Sequence, residues 1–521
     1  MIRVGIIHIG SSKIRLMLAE VEDVGYFKII DELITPFKVC YELSKECVLC
    51  NVKLNYILST LRTYKSLCEA SGTKEIFTIT TSFFKDLKDS ESIISMIKSN
   101  LNLDLKVLSP EEEVKFTALS VNRSLNITNS LIVEITGTST NLISMKNKEI
   151  TNWMSLPFGG INLAYTFNIA DRILNSNLDE SISFLKDKLN DISWLNSEYE
   201  SIVVVGDFAK TLVKMDKFKT HYPLELINNY ELSAVGIHEL YNIIKCKDLK
   251  LRRKVEGIDL DMVDSIFSCL LILNEIIKIA SSDSIRVSNN SIREGLLYDY
   301  LYKNYDVIDN ILDYSIYGIL NSLNANIPHA QQVYFLSSVL FHELKPLHRL
   351  DDKYLNILKT GAMLHDCGVS INYQNHHKHS LYIILNSIIN ELTHKEHLMS
   401  AAIAASHRFN NYHLPLAQFS YLINKLDIDI INKIGTLVKI AEGLDRSLVG
   451  IVKKLKVYFD DEKVVITVSS PSNLDVEIHQ AMRGKDFFKE IYNRDLFIEK
   501  ERWQNYLPPF KEFQILILQK P

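Results

Sequence analysis

Three turns in this chain follow apolar runs and consist of small residues. They are Gly10-Ser11-Ser12 after residues 4–9, Thr136-Gly137-Thr138 after residues 130–135, and Gly206 after residues 202–205. Backbone N–H groups at such turns, or at a helix start, are where a protein can hold phosphate. Ser109-Pro110-Glu111 has the pattern of a helix start, with Ser as N-cap and Pro at the first helical position. It puts Glu112 and Glu113 in the first turn, where acids complement the helix dipole whatever else they do. Eleven of the fifteen histidines lie between His329 and His413. Cys47 and Cys50 form a C-x-x-C, but no second pair or clear βαβ context accompanies it, so no zinc or redox role is assigned.

The elements that must carry these residues change along the chain. The runs 4–9 and 14–18 read as strand, tight turn, strand, and 130–135 and 141–145 repeat that pattern. Residues 52–70 have helical spacing, 76–79 read as a strand entering Thr80-Thr81-Ser82, and 202–205 read as a buried strand entering a helix. Residues 1–300 thus form two similar halves. From about 305 to 448 strand signals give way to amphipathic helices. Residues 455–459 and 464–468 then flank Asp460-Asp461-Glu462-Lys463 as a hairpin.

Composition bounds the reading. A chain of 521 residues, 47% hydrophobic and 23% charged, can bury sizeable cores, which excludes a mainly disordered or fibrous protein. Its length corresponds to roughly three to four domains. With 58 Lys and Arg against 63 Asp and Glu, the net charge of −5 does not advertise nucleic-acid binding. Glycine is scarce, 18 of 521, about half the usual usage of ~7%, so phosphate loops would have to use few glycines. The N-terminus lacks signal-peptide features, and the apolar stretch 266–280 contains Asn274, Glu275 and Lys278. Seven scattered cysteines suit a reducing compartment. A cytoplasmic protein is expected.

Several stretches together resemble the exopolyphosphatase/guanosine pentaphosphate phosphatase (Ppx/GppA) family, in the long form with a C-terminal HD domain. They are the opening hairpin, residues 109–114, SLPFGG at 155–160, IRVSNNSIREGLLYDY at 285–300, LHDCG at 364–368, HHKHS at 376–380 and IAEGLDRS at 440–447. The resemblance covers nearly the whole chain. It implies a two-lobed actin-like (ASKHA, ribonuclease H-like) α/β fold, then an all-α HD domain and a small α+β end domain. The expected spans are 1–122 and 123–303 for the lobes, 304–450 for the HD domain and 451–521 for the end domain. The implied activity is a phosphoanhydride hydrolase releasing terminal phosphate from inorganic polyphosphate or guanosine pentaphosphate. Such chemistry needs a carboxylate base, a divalent metal (Mg or Mn in the cleft) and inward-facing N–H groups. The resemblance allows a homodimer and implies no membrane or nucleic-acid partner.

The cleft positions depart from the family pattern. The first loop, usually Asp-Ile-Gly-Ser-Asn-Ser, reads His8-Ile9-Gly10-Ser11-Ser12-Lys13. The Thr-Ser-x-x-Arg motif ends in Lys85, which keeps charge and loses the bidentate fork. The second loop, usually Asp-Ile-Gly-Gly-Gly-Ser-Thr-Glu, reads Glu134-Ile135-Thr136-Gly137-Thr138-Ser139-Thr140-Asn141, with β-branched residues that resist positive φ. The third, usually Gly-Gly-Thr-Ala-Arg, reads Gly206-Asp207-Phe208-Ala209-Lys210, bringing an anion and a ring where phosphate would lie. Glu113 matches the family's general base.

In the helical half the resemblance implies metal ligands at His329, His365 and Asp366, with Glu442 in place of a late Asp and with His379 and His407 completing a second position. Imidazoles with carboxylates suit Mn, Fe or Zn. His376, His377 and Lys378 read instead as a solvated or ion-binding loop, and Asp445 and Arg446 as helix–helix ion pairs. Two alternatives stand beside the cleft hydrolase: a catalytically impaired binding or sensor protein, and a metal-dependent HD phosphohydrolase. Residues 451–521 carry no assigned chemistry.

Overall fold

The computed structural model describes residues 1–37, 51–408 and 416–501. Cys40, Cys47, Cys50 and His413 lie outside the described residues. The chain forms two compact units. The first comprises Met1–Ser322, Leu385–Leu398 and Leu416–Ile423. The second comprises Leu323–Ile384 and the described parts of Met399–Pro415 and Asn424–Pro521.

The first unit contains two sheets with related topology. In one, β1 (Ile2–Ile9), β2 (Lys13–Val21), β3 (Phe27–Pro36), β4 (Glu75–Thr80) and β5 (Leu105–Val107) are ordered β3-β2-β1-β4-β5. The other contains β6 (Asn129–Ile135), β7 (Thr140–Lys146), β8 (Glu149–Leu156), β9 (Ser201–Val205), β10 (Tyr230–Ser233) and β11 (Ser284–Val287). Its order, β8-β7-β6-β9-β11-β10, repeats the first with one more strand. In each, the opening strand pairs antiparallel with its hairpin partner and parallel with a later strand, β1 with β4 and β6 with β9. A parallel pair needs a crossover, which α1 (Asn51–Ala70) provides between β3 and β4. Helices bury the sheet faces, so β1 and β9 read as near-continuous apolar runs rather than as alternating ones. The duplicated halves legible in the sequence are these two sheets.

Helix α2 (Pro110–Asn122) starts as expected. Ser109 Oγ accepts from Glu112 N at 3.2 Å, and Glu112 Oε2 accepts from Ser109 N at 3.0 Å. This capping box separates the two acids: Glu112 caps the helix, and Glu113 is free to turn inward, where it is buried. The unit continues through α3 (Gly160–Thr166), α4 (Gly206–Thr220), α5 (Ile266–Ala280), α6 (Ile292–Asn304) and α7 (Ile311–Ser322). It therefore runs past residue 303, where the sequence reading ends the second lobe. The reason is packing of α7 on the first sheet: the Tyr314 and Tyr26 rings lie 5.3 Å apart, and Gly318 leaves room for Tyr26.

The second unit is built on α8 (Ile327–Glu343), α9 (Leu355–Met363), α10 (His376–Asn386), the later part of α11 (His394–Ser406) and α12 (Lys425–Gly443). A three-stranded sheet follows in the same unit: β12 (Lys454–Phe459), β13 (Lys463–Ser469) and β14 (Asp495–Lys500), ordered β12-β13-β14. The expected hairpin is β12–β13. Among the described residues no helix is long and apolar enough to cross a membrane.

One close approach positions Glu113. A Cβ at Gly295 on α6 would lie 1.8 Å from the Phe116 carbonyl oxygen of α2, so the two helices cross at backbone contact. Gly295→Ala is expected to separate them at a cost of about 1–3 kcal/mol. Thermal unfolding would report this as a lower midpoint; an unchanged midpoint would mean the crossing is looser.

Candidate functional sites

The first site is a cavity of about 560 Å³ in the first unit, lined by loops at the ends of β1, β4, β6 and β9. His8, Gly10, Ser11, Glu113, Glu134, Gly137, Ser139 and Gly206 line it together with Arg15, Ser82, Asp207 and Asp261. Among the sequence-predicted cleft residues, Lys85 is exposed and does not line it, Lys13 stands outside the lining and reaches Asp207 and Asp261, which do line it, and Asn141 sits behind Glu134.

The charges of this cavity are paired among themselves. The β1–β2 register sets Arg15 opposite His8, and Arg15 bonds the Asp207 carboxylate. Lys13 Nζ lies 3.2 Å from Asp207 Oδ2 and 2.5 Å from Asp261 Oδ2. Burial alone would raise the Asp207 carboxyl, but Arg15 and Lys13 outweigh it and hold it well below the usual range. His8 is pushed down to about 3, by burial first and then by Arg15, so its imidazole is neutral. Burial raises Glu134, and Asn141 Nδ2 donates to Glu134 Oε2 at 3.0 Å.

The second loop turns without any residue at positive φ. Thr136 Oγ1 accepts from Ser139 N at 2.9 Å and from Thr138 N at 3.3 Å. A hydroxyl thus takes up N–H groups that a glycine loop would leave for a ligand. The loop's carbonyls accept from the end of the SLPFGG segment and the residue after it: Gly160 N donates to Thr136 O at 2.8 Å and Ile161 N to Gly137 O at 2.9 Å. A Cβ at Gly159 would lie 2.3 Å from Thr136 O, which explains a glycine there.

Glu113 is the cavity's unusual acid. Its Oε1 accepts from Ser82 N at 2.6 Å, and burial raises its carboxyl to about 7. A folded carboxyl that binds its proton more tightly than the unfolded one loses stability as pH climbs from the ordinary carboxylate range through the raised value. Glu113→Gln should therefore raise the melting temperature at pH 8 and leave it nearly unchanged at pH 5. An equal effect at both pH values would contradict the buried-acid assignment.

The second site lies in the second unit. His329 Nε2 and His365 Nε2 are 3.2 Å apart, and His376 Nε2 and His407 Nε2 are 3.0 Å apart. Asp366 sits between the pairs. Its Oδ1 is 3.0 Å from His376 Nε2, 3.5 Å from His407 Nε2 and 3.7 Å from His365 Nε2, and its Oδ2 is 3.8 Å from His329 Nε2. These are the only groups of three or more such side chains, among the described residues, whose donor atoms all lie within 4.8 Å: His329 with His365 and Asp366, and Asp366 with His376 and His407. The histidines are buried, while the Asp366 side chain is 34% exposed and opens the cluster outward.

The other ring nitrogens are all engaged. His365 Nδ1 lies 2.7 Å from Ala362 O, His376 Nδ1 2.8 Å from Tyr373 O and His407 Nδ1 2.5 Å from Ala404 O. A carbonyl only accepts, so Nδ1 carries a proton and, in the neutral imidazole, Nε2 keeps its lone pair. His329 Nδ1 meets Asp445 Oδ2 at 2.8 Å, and Asp445 Oδ1 accepts from Gly450 N at 2.7 Å. That is how ligand imidazoles are held and oriented at metal centres. Burial lowers His365, and lowers His407 to about 3; for His376 burial would do the same, but the Asp366 carboxylate and the Tyr373 carbonyl outweigh it and raise it. For Asp366 burial would raise the carboxyl, but the imidazoles, His365 first, hold it well below the usual range. The donor set therefore fits a divalent transition metal.

Two expectations need correction. The late acid that meets His329 is Asp445, one helical turn beyond Glu442; the Glu442 carboxylate pairs with Arg446 at 2.8 Å. The second donor pair uses His376, not His379. His376 opens α10 buried in the cluster, whereas His379, three residues on, is half-buried with its Cβ against the Gly368 turn. His376 and His377 are accordingly buried helix residues and not a solvated loop. Both signals were in the sequence, in HHKHS and GLDRS. Asp207 had been singled out, but its partners Arg15 and Asp261 carried no local signal, since they come from distant segments.

Two sheets of shared topology around a cleft, followed by a helical unit, define a class of two-lobed α/β protein. The Ppx/GppA phosphatase family profile matches residues 18–304, and that of Ppx/GppA phosphatase domain III matches 311–481. The chain belongs to the Ppx/GppA phosphatase family. It is 22% identical over 385 residues to the guanosine-5'-triphosphate,3'-diphosphate pyrophosphatase of Aeromonas hydrophila, covering 73% of this chain and 75% of that protein. It is 21% identical over 315 residues to exopolyphosphatase 1 of Mycobacterium bovis, covering 57% of this chain and 87% of that one. Among solved structures it is similar to the Aquifex aeolicus family member (TM-score 0.52, 23% identity, 58% of this chain and 99% of the other). An exopolyphosphatase from Cytophaga hutchinsonii gives a TM-score of 0.53 at 18% identity, covering 58% and 98%. The fold of the first unit is thus the actin-like two-lobed α/β fold.

Proposed function

We propose that this chain is a cytoplasmic, metal-dependent phosphohydrolase acting on phosphoanhydrides, of the polyphosphate or guanosine pentaphosphate kind, with its hydrolytic centre at the imidazole–carboxylate cluster of the second unit. This is the HD-domain reading, with the donor set revised to His329, His365, Asp366, His376 and His407. The observation that carries it is the set of Nε2 lone pairs turned on Asp366 with every Nδ1 engaged elsewhere. Mn, Fe or Zn suits these donors, and cations bound there would acidify a water and offset the charge of a phosphoryl group. The protein's part is to fix the imidazole tautomers, to hold Asp366 ionised and to leave its exposed edge open to substrate. In the reaction, water oxygen bonds to the terminal phosphorus. The P–O bond to the bridging oxygen breaks, its electron pair leaves on the shortened chain, and the proton given up by the water passes to that leaving oxygen or to solvent.

Glu113 favours a second reading, a slow exopolyphosphatase in the cleft. Its carboxyl, raised to about 7, suits a general base, which contributes roughly 10²–10⁴-fold. The cleft has no group of three metal donors within reach among the described residues. Mg or Mn there would have to arrive with the phosphate chain. Lys13 and Arg15 are held by Asp207 and Asp261, which supports a slow or binding-only cleft.

Phosphate release from tripolyphosphate with Mn²⁺ separates the readings. Asp366→Ala is expected to reduce it by about 100-fold or more, with Glu113→Gln close to wild type. Loss in Glu113→Gln alone, rising with pH through about 7 in the wild type, would instead assign the reaction to the cleft. Asp445→Asn should weaken metal retention by about 10–100-fold, measured by metal analysis after dialysis; unchanged retention would contradict its orienting role. Asp207→Ala should free Arg15 and tighten tripolyphosphate binding in the presence of chelator, and no gain would mean that the cleft does not take phosphate.

A further inference from the structure

The rim of the metal cluster carries two arginines that its ligand geometry does not require. Arg408 directly follows His407, and Tyr373 supplies the carbonyl that receives His376 Nδ1–H. Arg408 Nη2 donates to Tyr373 Oη at 3.1 Å, and Arg446 Nη2 donates to the same oxygen at 3.3 Å. The Arg408 guanidinium also lies over the Tyr373 ring, 4.7 Å from its centroid. Tyr373 is 55% exposed, and Arg408 is exposed.

The charge at this rim is not balanced. Arg446 has Glu442 at 2.8 Å. Arg408 has no carboxylate at ion-pair distance among the described residues. Its Nη1 lies 3.3 Å from His376 Nδ1, which already carries a proton for Tyr373 O and so accepts nothing. A guanidinium has five N–H donors in a rigid fork, and among the described residues most of those on Arg408 meet no acceptor. One phenol oxygen therefore gathers two forks beside the cluster, with one carboxylate between them. Arginine forks of this kind match phosphate oxygens bidentately.

We infer that Arg408, Tyr373 and Arg446 form an anion clamp that holds the second phosphate of an oligophosphate while the terminal phosphoryl group lies at Asp366. The inference rests on the reading of that cluster as the hydrolytic centre, and it narrows the substrate class. A phosphomonoester presents one phosphate and has nothing for the clamp. A phosphoanhydride presents two consecutive charged groups, matching a metal cradle and an arginine pair joined to it through His376 and His407. Tyr373 is a positioning residue, since its hydroxyl spaces the two forks.

The test uses the full-length chain equilibrated with Mn²⁺. Calorimetric titration with pyrophosphate and with orthophosphate is compared for wild type, Arg408→Ala, Arg408→Ala/Arg446→Ala and Arg408→Lys. Wild type should bind pyrophosphate at least about tenfold tighter than orthophosphate, the scale of one charge-assisted hydrogen bond. The double variant should lose that preference and keep its orthophosphate affinity, and Arg408→Lys should fall between. Binding in the cleft adds equally to all four proteins, and matched melting temperatures verify folding. A double variant that binds pyrophosphate like wild type overturns the clamp. Metal analysis of the same samples tests the cluster separately. If wild type retains no Mn²⁺ but the double variant still loses pyrophosphate affinity, the cluster reading fails and the clamp stands.

Discussion

A neutral imidazole that gives its Nδ1–H to a fixed carbonyl keeps a lone pair at Nε2. In the second unit three imidazoles are placed this way, a fourth is held by Asp445, and all four Nε2 atoms face the same carboxylate. Nε2 atoms 3.0 and 3.2 Å apart in a buried site must share a positive charge, a proton or a metal ion. The surrounding architecture serves that requirement. Gly368 lets the His365-Asp366 turn approach α10, where a Cβ would meet His376 O at 2.2 Å. Ser380 Oγ then donates to His365 O at 2.6 Å and accepts from Gly368 N at 2.9 Å. Helices α8, α10, α11 and α12 each deliver a ligand or its orienting partner from the interior of the unit.

The cleft of the first unit answers the opposite problem. It holds cations, and they are already met. Relative to the family pattern a carboxylate is absent at position 8 and present at position 207, so an acid has in effect moved from the first loop to the third. Arg15, across the hairpin from His8, takes Asp207 as its partner, and Lys13 spans Asp207 and Asp261. Thr136 closes the second loop on itself in the same manner, its hydroxyl accepting the N–H groups of Thr138 and Ser139. These groups satisfy one another, while His8 Nε2 is buried without a hydrogen-bond partner among the described residues, and an incoming phosphate must compete with the paired groups.

Much of the fold was legible because its signals are local. The two hairpins, the Ser109 helix start, the helical texture from 305 and the β12–β13 hairpin all follow from local periodicity or turn chemistry. The extension of the first unit through Ser322 was not, because it depends on Tyr26 meeting Gly318 and Tyr314 across nearly the whole unit. The site was half legible for the same reason. His365-Asp366 is a contiguous signal, whereas the choice of Asp445 over Glu442 and of His376 over His379 is decided by which turn meets the cluster. Residues three apart on a helix lie on nearly the same face, one turn from each other, so motif spacing alone does not say which of the two reaches the cluster. Likewise Thr at positions 136 and 138 was read as a strain on positive φ, and the loop escapes that strain by not using positive φ.

The central claim is that the second unit binds metal at Asp366. Anomalous diffraction at the manganese edge, from crystals of the full chain grown with Mn²⁺, tests it most directly. The account predicts anomalous density bonded to Asp366 together with the Nε2 atoms of His329 and His365, of His376 and His407, or of both pairs, lost in Asp366→Ala. Manganese bound elsewhere in the crystal, with the cluster holding none, would contradict it.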